Sequence, residues 1–203
     1  MRLLSVIILM LALSAGAASA GPKQDPGISA NEIVIGGSVP LSGIAASYAS
    51  VARGAEAYFK YVNARGGVHG RKITYKYLDD QYNPAQTVQA TRQLVQQERV
   101  FAVFNTLGTE HNLAVRAFLN SAKVPQLFVG SGATTFGRDH RRYPYTIGYL
   151  PSYIAEGKVY ARHIRQTKPN ARIAVLYQND DFGQDLLRGF RAGMGQKLSL
   201  IHI

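Results

Sequence analysis

The chain has 203 residues, of which 46% are hydrophobic and 17% charged, and it contains no cysteine. This composition is typical of a globular protein with a full core, and it excludes the disordered, collagen-like and coiled-coil classes. The lack of cysteine excludes disulfides, thiolate metal sites and cysteine nucleophiles. The formal net charge is +11, but the basic residues are scattered and accompany no recognition motif, so we expect no nucleic-acid partner.

The N-terminal pattern predicts a secretory signal peptide over residues 1–20. A cationic start at Arg2 precedes an apolar run over residues 3–13, and Ala18, Ser19 and Ala20 form a small-residue cleavage pattern. The run is roughly 11 residues long, whereas a membrane span needs about 20. We therefore expect an exported, soluble protein located in the periplasm, where a chain without disulfides can rely on its core.

Strands and helices are predicted to alternate along the rest of the chain. Short apolar runs predict strands over residues 32–37, 73–78, 100–104, 126–129 and 172–177, and residues 145–147 are a candidate crossing strand. Segments with helical periodicity predict helices over about residues 48–63, from Asn83 and Pro84 onward, over about 111–120 and 153–166, and from near Gly183. This alternation predicts an α/β fold with a doubly wound parallel sheet.

A change in composition and periodicity along the sequence predicts two lobes. Residues 134–149 are rich in Arg, His, Pro and Tyr without a clear period, and we interpret them as the passage from a first lobe over 21–148 to a second lobe over 149–197. Residues 198–203 continue neither the helical period nor its polarity, and we interpret them as a non-native tail on a C-terminally truncated chain. A second lobe of this length is too short to bury both faces of a sheet.

No catalytic or metal-binding motif is complete. Residues 36–40 place a proline where a nucleophile elbow needs glycine, and both the dinucleotide and P-loop fingerprints are absent. The five histidines lack metal-ligand spacing and are expected at the surface. The acid pairs Asp79–Asp80 and Asp180–Asp181 are expected to cap turns and helices. We therefore expect a protein that is not an enzyme and that carries no metal and no cofactor.

Loops rich in Gly, Ser and Thr follow several predicted strands, namely residues 37–43, 107–109 and 130–134. In a parallel sheet such loops meet at the carboxyl edge, where ligands bind. Thr109 and Thr134 each offer a hydroxyl and an amide, while Gly108 and Gly132 allow close approach of a ligand to the main chain. The same residues also serve as ordinary turn and cap residues. The pattern is compatible with a site for a small carboxylate-bearing molecule.

A series of short motifs occurs in a fixed order between about Glu32 and Gly195. The series comprises residues 35–43 followed by Tyr48, then residues 63–73, 79–80, 107–109, 124–126, 131–134 and 177–183. In this order the motifs resemble the Leu/Ile/Val-binding protein family, the periplasmic substrate-binding proteins of branched-chain amino-acid ABC transporters. The resemblance implies a type I periplasmic binding fold, in which two lobes joined by a hinge close on a small molecule.

The resemblance also implies a ligand site. Thr109 would donate its hydroxyl and amide to the ligand carboxylate, whereas Gly132 would offer its carbonyl and Thr134 its hydroxyl to the ligand ammonium. Aromatic residues would line the pocket from both lobes. By motif position, the ligand-binding residues are Tyr48, Leu107, Gly108, Thr109, Ser131, Gly132, Ala133, Thr134 and Phe182.

The expected function is that of a monomeric periplasmic solute receptor. It would capture a branched-chain amino acid, or a related small carboxylate or amide, and deliver it to an ABC permease complex in the inner membrane. A ligand-sensing ectodomain of a receptor or regulator is the alternative, and a transmembrane or signalling segment in further sequence would indicate it. A hydrolase with the same α/β fold is disfavoured because the sequence contains no recognisable pair of a nucleophile and a general base.

The chain is expected to bind its ligand weakly, because the family's remaining second-lobe contacts fall beyond its last residue. Micromolar binding corresponds to about −8 kcal/mol, and we expect residues 21–203 not to reach it with leucine. Isothermal titration calorimetry checks this expectation, and a micromolar dissociation constant for leucine would contradict it.

Overall fold

A computed structural model describes residues 25–195 of the chain. The predicted signal peptide and the predicted tail lie outside the described residues. The strands are β1 (Glu32–Val39), β2 (Lys72–Asp79), β3 (Ala102–Phe104), β4 (Gln126–Val129) and β5 (Thr146–Gly148). The helices are α1 (Ala49–Ala64), α2 (Pro84–Gln96), α3 (Thr109–Ser121), α4 (Thr135–Arg138), α5 (Tyr153–Thr167) and α6 (Asp181–Met194), with a 3₁₀ turn (Ala46–Tyr48) before α1.

The five strands form one parallel sheet in the order β2-β1-β3-β4-β5. The register of β1 on β2 runs from Glu32 opposite Lys72 to Val39 opposite Asp79. On its other side β1 pairs with β3, where Ile35 lies opposite Ala102. The chain therefore winds outward from β1 in one direction and from β3 in the other. The crevice between them is the place where such sheets bind ligands.

Helices cover both faces of this sheet. On one face, α2 and α3 contribute to a buried aliphatic cluster of Leu94, Val100, Val103, Val115, Leu119 and Val124. On the other face, Phe59 of α1 packs edge-on against Tyr75 and Phe104, with ring centroids 5.6 and 5.5 Å apart. The neighbouring residues Val103 and Phe104 of β3 point to opposite faces, as the pleat requires. The predicted doubly wound α/β fold is thus confirmed.

The predicted strand over residues 172–177 is wrong. These residues belong to no strand, and the side chain of Leu176 is fully exposed. A strand needs a neighbour to accept its backbone hydrogen bonds, and no strand among residues 25–195 pairs with this segment. Instead it lies beside α5 and α6, where Ile173 packs against them. By contrast, the candidate strand near Tyr145 is confirmed as β5 at the edge of the sheet.

Helices α5 and α6 pack closely against each other. A Cβ atom on Gly157 of α5 would lie 2.3 Å from the carbonyl oxygen of Leu186 in α6, so only glycine permits this approach. Ala161, Phe190 and Met194 form a small core of their own there. That residues 149–197 constitute a second lobe stays a prediction. Within residues 25–195, none of the helices has the length and apolarity that a bilayer crossing demands.

The main core predicts a large cost for truncation. Leu119 is completely buried in the cluster under α2 and α3, so Leu119→Ala should lower the free energy of unfolding by about 3 kcal/mol through lost burial and the cavity left behind. The matched change Leu176→Ala alters a fully exposed side chain and should cost less than about 0.5 kcal/mol. Urea unfolding measures both, and equal effects would contradict the assignment of the core.

Candidate functional site

A cavity of 440 Å³ opens at the carboxyl edge of the sheet. Its walls come from the loops after all five strands and from the first residues of α3, α5 and α6. The lining residues are Ile44, Ala45, Tyr48, Tyr82, Leu107, Gly108, Thr109, Gly130, Leu150, Tyr153 and Phe182. This lining contains no charged side chain, so electrostatic recognition of a ligand here would depend on hydroxyl and main-chain groups.

Five of the nine residues predicted from motif position line this cavity, namely Tyr48, Leu107, Gly108, Thr109 and Phe182. The other four, Ser131, Gly132, Ala133 and Thr134, line a neighbouring cavity of 380 Å³. The two cavities share Leu150. They are also connected by a hydrogen bond, because the hydroxyl oxygens of Thr109 and Ser131 lie 2.7 Å apart. The sequence therefore identified residues of both cavities but did not separate them.

The polar wall of the cavity is the start of α3. Gly108 precedes the helix with φ of 101° and ψ of 145°, and no side chain caps this helix. The first-turn amides of Thr109 and Glu110 have no hydrogen-bond acceptor among the described residues. Unsatisfied amides at a helix start carry a partial positive charge and bind carboxylates and phosphates. This wall can therefore accept an anionic group.

A buried amide fixes the loop that presents this wall. The side-chain nitrogen of Asn112 donates to the carbonyl oxygens of Thr106 and Gly108 at 2.8 and 2.7 Å. Gln126 of β4 donates to the side-chain oxygen of Asn112 at 2.9 Å, and Thr146 of β5 donates to Gln126 at 3.0 Å. All these polar side chains are buried. The loop after β3 is consequently held by the two strands beside it.

The acids at the end of β2 organise turns, as predicted. Asp79 accepts hydrogen bonds from the amide of Leu41 at 2.9 Å and from the amide and hydroxyl of Ser42. Burial acts to raise the pKa of Asp79, but these bonds and one from the amide of Gln81 prevail and lower it from its ordinary value. Asp80 accepts the amide of Tyr82 at 3.1 Å. Both carboxylates thus shape the loops that carry the cavity wall.

The acid before α6 also has a capping role. Asp180 accepts the amide of Gly183 at 3.0 Å and occupies the cap position of the helix. This contact sets the direction of the first turn of α6, from which Phe182 reaches the cavity. The ring of Phe182 meets the ring of Tyr153 edge-on, with centroids 4.8 Å apart and planes inclined by 76°. Both rings line the cavity.

Among the four histidines within residues 25–195, His111 is the exception to the prediction of a surface position. Its side chain is buried, with 4% exposure, and its ring stacks on that of Tyr82 with centroids 4.2 Å apart. Neither ring nitrogen of His111 has a hydrogen-bond partner among the described residues. Tyr82 is half-buried, and this burial raises the pKa of its phenol. His111 thus supports an aromatic wall of the cavity from behind.

The polar groups of residues 132 and 134 are engaged by other parts of the chain. The carbonyl of Gly132 accepts the amide of Tyr153 at 2.9 Å. Thr134 donates its amide to a carboxylate oxygen of Asp185 at 2.9 Å, and its hydroxyl lies 3.2 Å from that of Ser152. Their roles toward a ligand ammonium, which the resemblance implies, stay predictions.

The sequence did not predict two aromatic residues of the cavity lining, Tyr82 and Tyr153. Tyr82 directly follows the predicted strand over 73–78 and its two acids, so the rule that ligands bind at strand ends offered a signal for it. Tyr153 follows no predicted strand and lies at the start of α5, and nothing local in the sequence identified it. Within residues 25–195, no group of three or more His, Asp or Glu side chains is placed to hold a metal ion.

A cavity at the strand ends of a parallel sheet, lined by amides and aromatic rings, is the arrangement at which doubly wound folds bind small molecules. A family model described as periplasmic binding protein matches residues 32–197, and the chain belongs to this family. Its fold is that of the type I periplasmic binding proteins. The resemblance to the Leu/Ile/Val-binding proteins is likewise confirmed by curated relatives of that name.

Three similar proteins illustrate the comparison. The Leu/Ile/Val-binding protein homolog 7 of Brucella suis is 27% identical over 186 residues, covering 88% of this chain and 45% of the relative. A substrate-binding periplasmic protein from Ralstonia solanacearum is 27% identical with a TM-score of 0.72, covering 80% and 45% of the two chains. The fatty acid ABC transporter substrate-binding protein from Thermomonospora curvata is 25% identical with a TM-score of 0.72, covering 85% and 44%. This chain spans less than half the length of each.

The geometry around Gly108 predicts that a side chain is not tolerated there. A Cβ atom would lie 2.3 Å from Nδ1 of His111, and the φ of 101° is itself unfavourable for any other residue. Gly108→Ala should therefore lower the free energy of unfolding by about 2 kcal/mol or more. The matched change Gly54→Ala, in α1 with open space around it, should be stabilising by up to about 1 kcal/mol. Urea unfolding compares them, and a neutral Gly108→Ala would contradict this geometry.

Proposed function

We propose that the chain is the solute-binding component of an ABC transporter, acting in the periplasm as a monomer. It captures an amino acid of the branched-chain type, or a related small carboxylate or amide, and delivers it to the membrane permease. The names of the Leu/Ile/Val-binding relative, of the substrate-binding periplasmic protein from Ralstonia solanacearum and of the ABC transporter substrate-binding protein from Thermomonospora curvata support this role. The predicted signal peptide, which lies outside the described residues, supports the location.

The observation that carries the proposal is the open start of α3. Helices α2, α5 and α6 begin with a capping side chain, supplied by Asn83, Ser152 and Asp180 respectively. Helix α3, like α1 and α4, begins without one, and its cap residue Gly108 and its first residue Thr109 line the cavity. A ligand carboxylate placed there would supply the missing cap.

A relay of hydroxyl groups leaves one proton for the ligand. The oxygen of Ser131 accepts the amide of Ala133 at 3.1 Å. In the proposed arrangement Ser131 donates its own proton to Thr109, whose oxygen lies 2.7 Å away; the distance fits either direction. The hydroxyl proton of Thr109 then remains for a carboxylate oxygen. The same arrangement argues against catalysis, because the partner of the Thr109 hydroxyl is another hydroxyl and not a base.

Capture follows from walls on opposite sides of the cavity. Tyr48 ends the 3₁₀ turn before α1 and Thr109 begins α3, whereas Tyr153 and Phe182 belong to α5 and α6. A ligand that contacts both sides binds the closed arrangement more tightly than an open one, and this difference in affinity drives closure. The permease would then recognise the closed form.

The hydroxyl of Thr109 provides the test. Thr109→Val removes the hydroxyl at nearly constant shape and should weaken leucine binding by about tenfold or more, the effect of losing a hydrogen bond to a charged group. Thr109→Ser keeps the hydroxyl and should bind within about threefold of the unchanged chain. Ligand-observed NMR at millimolar leucine measures both, since this technique detects weak complexes.

Two controls separate recognition from folding. Thermal unfolding without ligand verifies that each variant retains the fold, and Thr167→Ala changes an exposed hydroxyl that lines neither cavity. Leucinol, which lacks the carboxylate of leucine, should bind the unchanged chain far more weakly than leucine does. Equal binding of leucinol and leucine, or an unaltered affinity in Thr109→Val, would disprove the proposed carboxylate site.

A further inference from the structure

A buried carboxylate joins α6 to the edge of the sheet. Asp185, in the second turn of α6, is 8% exposed. One of its oxygens accepts the amide of Thr134 at 2.9 Å, and the other lies 3.1 Å from the guanidinium of Arg188. Thr134 precedes α4 and belongs to the loop after β4. The contact therefore connects parts of the chain that lie 51 residues apart.

The contact with Thr134 is the stronger of the two that Asp185 makes. The Thr134 amide stands at a helix start and meets a charged acceptor at short range, which makes the hydrogen bond charge-assisted. The side chain of Arg188 is 60% exposed, and ion pairs of such exposure contribute little to stability. The salt bridge therefore offsets little of the cost of burying the Asp185 carboxylate. The hydrogen bond from the Thr134 amide offsets more of that cost.

A second contact of the same kind runs in the opposite direction. The amide of Asp181, the first residue of α6, donates to a carboxylate oxygen of Glu110 in α3 at 3.3 Å. Each part of the chain thereby provides a carboxylate for a helix-start amide of the other. Phe182 lies between Asp181 and Asp185 on the same helix and forms part of the cavity wall.

We propose that Asp185 is a latch between α6 and the loop after β4 and a positioning residue for the cavity. Its carboxylate holds the first turns of α6 on the loop after β4 and so keeps Phe182 over the cavity opposite Thr109. The latch itself is independent of the proposed function. Its effect on affinity rests on that function, because it presupposes that the cavity binds a solute.

The test uses the full chain without ligand. Residue-resolved amide hydrogen exchange by NMR reports the Thr134 amide directly. Asp185→Ala should accelerate its exchange at least about tenfold, the contribution of a hydrogen bond to a charged group. Asp185→Asn keeps a neutral acceptor and should give a smaller acceleration. Arg188→Ala leaves the Asp185–Thr134 bond in place and should leave the exchange rate of Thr134 unchanged.

The amide of Val103 serves as an internal reference, because it donates to Pro125 within the sheet region and should exchange equally in all variants. If Asp185→Ala does not fold, the exchange rate of the Thr134 amide in Asp185→Asn provides the test. An unchanged Thr134 rate in the folded Asp185 variants would overturn the latch, and so would equal acceleration in Arg188→Ala.

A ligand titration separates the latch from the proposed function. With a working latch and a solute-binding cavity, Asp185→Ala should weaken leucine binding several-fold while the sheet remains protected from exchange. Absence of leucine binding in the unchanged chain counts against the proposed function alone, since the exchange data still decide the latch. Acceleration of Thr134 exchange with unaltered leucine affinity would overturn the positioning role of Asp185.

Discussion

The site depends on the buried side chain of Asn112. Its amide nitrogen satisfies the carbonyls of Thr106 and Gly108 together, and its oxygen is satisfied in turn by Gln126 of β4. A buried amide is costly unless its hydrogen bonds are complete, so this set of contacts disfavours loop conformations that leave these groups unpaired. The left-handed backbone at Gly108 and the outward direction of the first amides of α3 are consequences of that constraint. Hydrogen bonds of buried side chains therefore connect the cavity wall to the sheet.

The sequence predicts most of the fold because its information is local. The apolar runs that became β1 to β4 and the periodic segments that became α1 to α3 are specified by residues next to one another in the chain. The segment over 172–177 has the same apolar character, yet it forms no strand, because pairing requires a neighbour that its own residues cannot supply. Residues 146–148 show the reverse case, since a weak local pattern becomes β5 through the pairing of Gln126 with Thr146.

The candidate site is predictable to the extent that it follows from strand ends. Leu107, Gly108 and Thr109 follow β3 directly, and the structure places them on the cavity wall. Residues 131–134 also follow a strand, but they line a neighbouring cavity and contact distant residues. The amide of Thr134 donates to the carboxylate of Asp185, and the carbonyl of Gly132 accepts the amide of Tyr153. The burial of His111 against Tyr82 likewise depends on contacts between residues that are distant in the sequence. Spacing along a sequence identifies candidate ligand-binding groups, whereas long-range hydrogen bonds decide which of them remain available.

The electrostatic character of the site differs from that of the molecule. The chain carries a formal charge of +11, but the cavity lining among the described residues contains no charged side chain. Long-range attraction of an anionic solute therefore comes from surface charges, which salt screens within a Debye length of about 8 Å at physiological ionic strength. In the proposed carboxylate site, the donors are amides and hydroxyls at the start of α3, and salt affects such short-range hydrogen bonds little. Salt should accordingly slow the encounter more than it weakens the bound state. A receptor that must release its cargo benefits from neutral donors, because they bind a carboxylate without forming a buried ion pair.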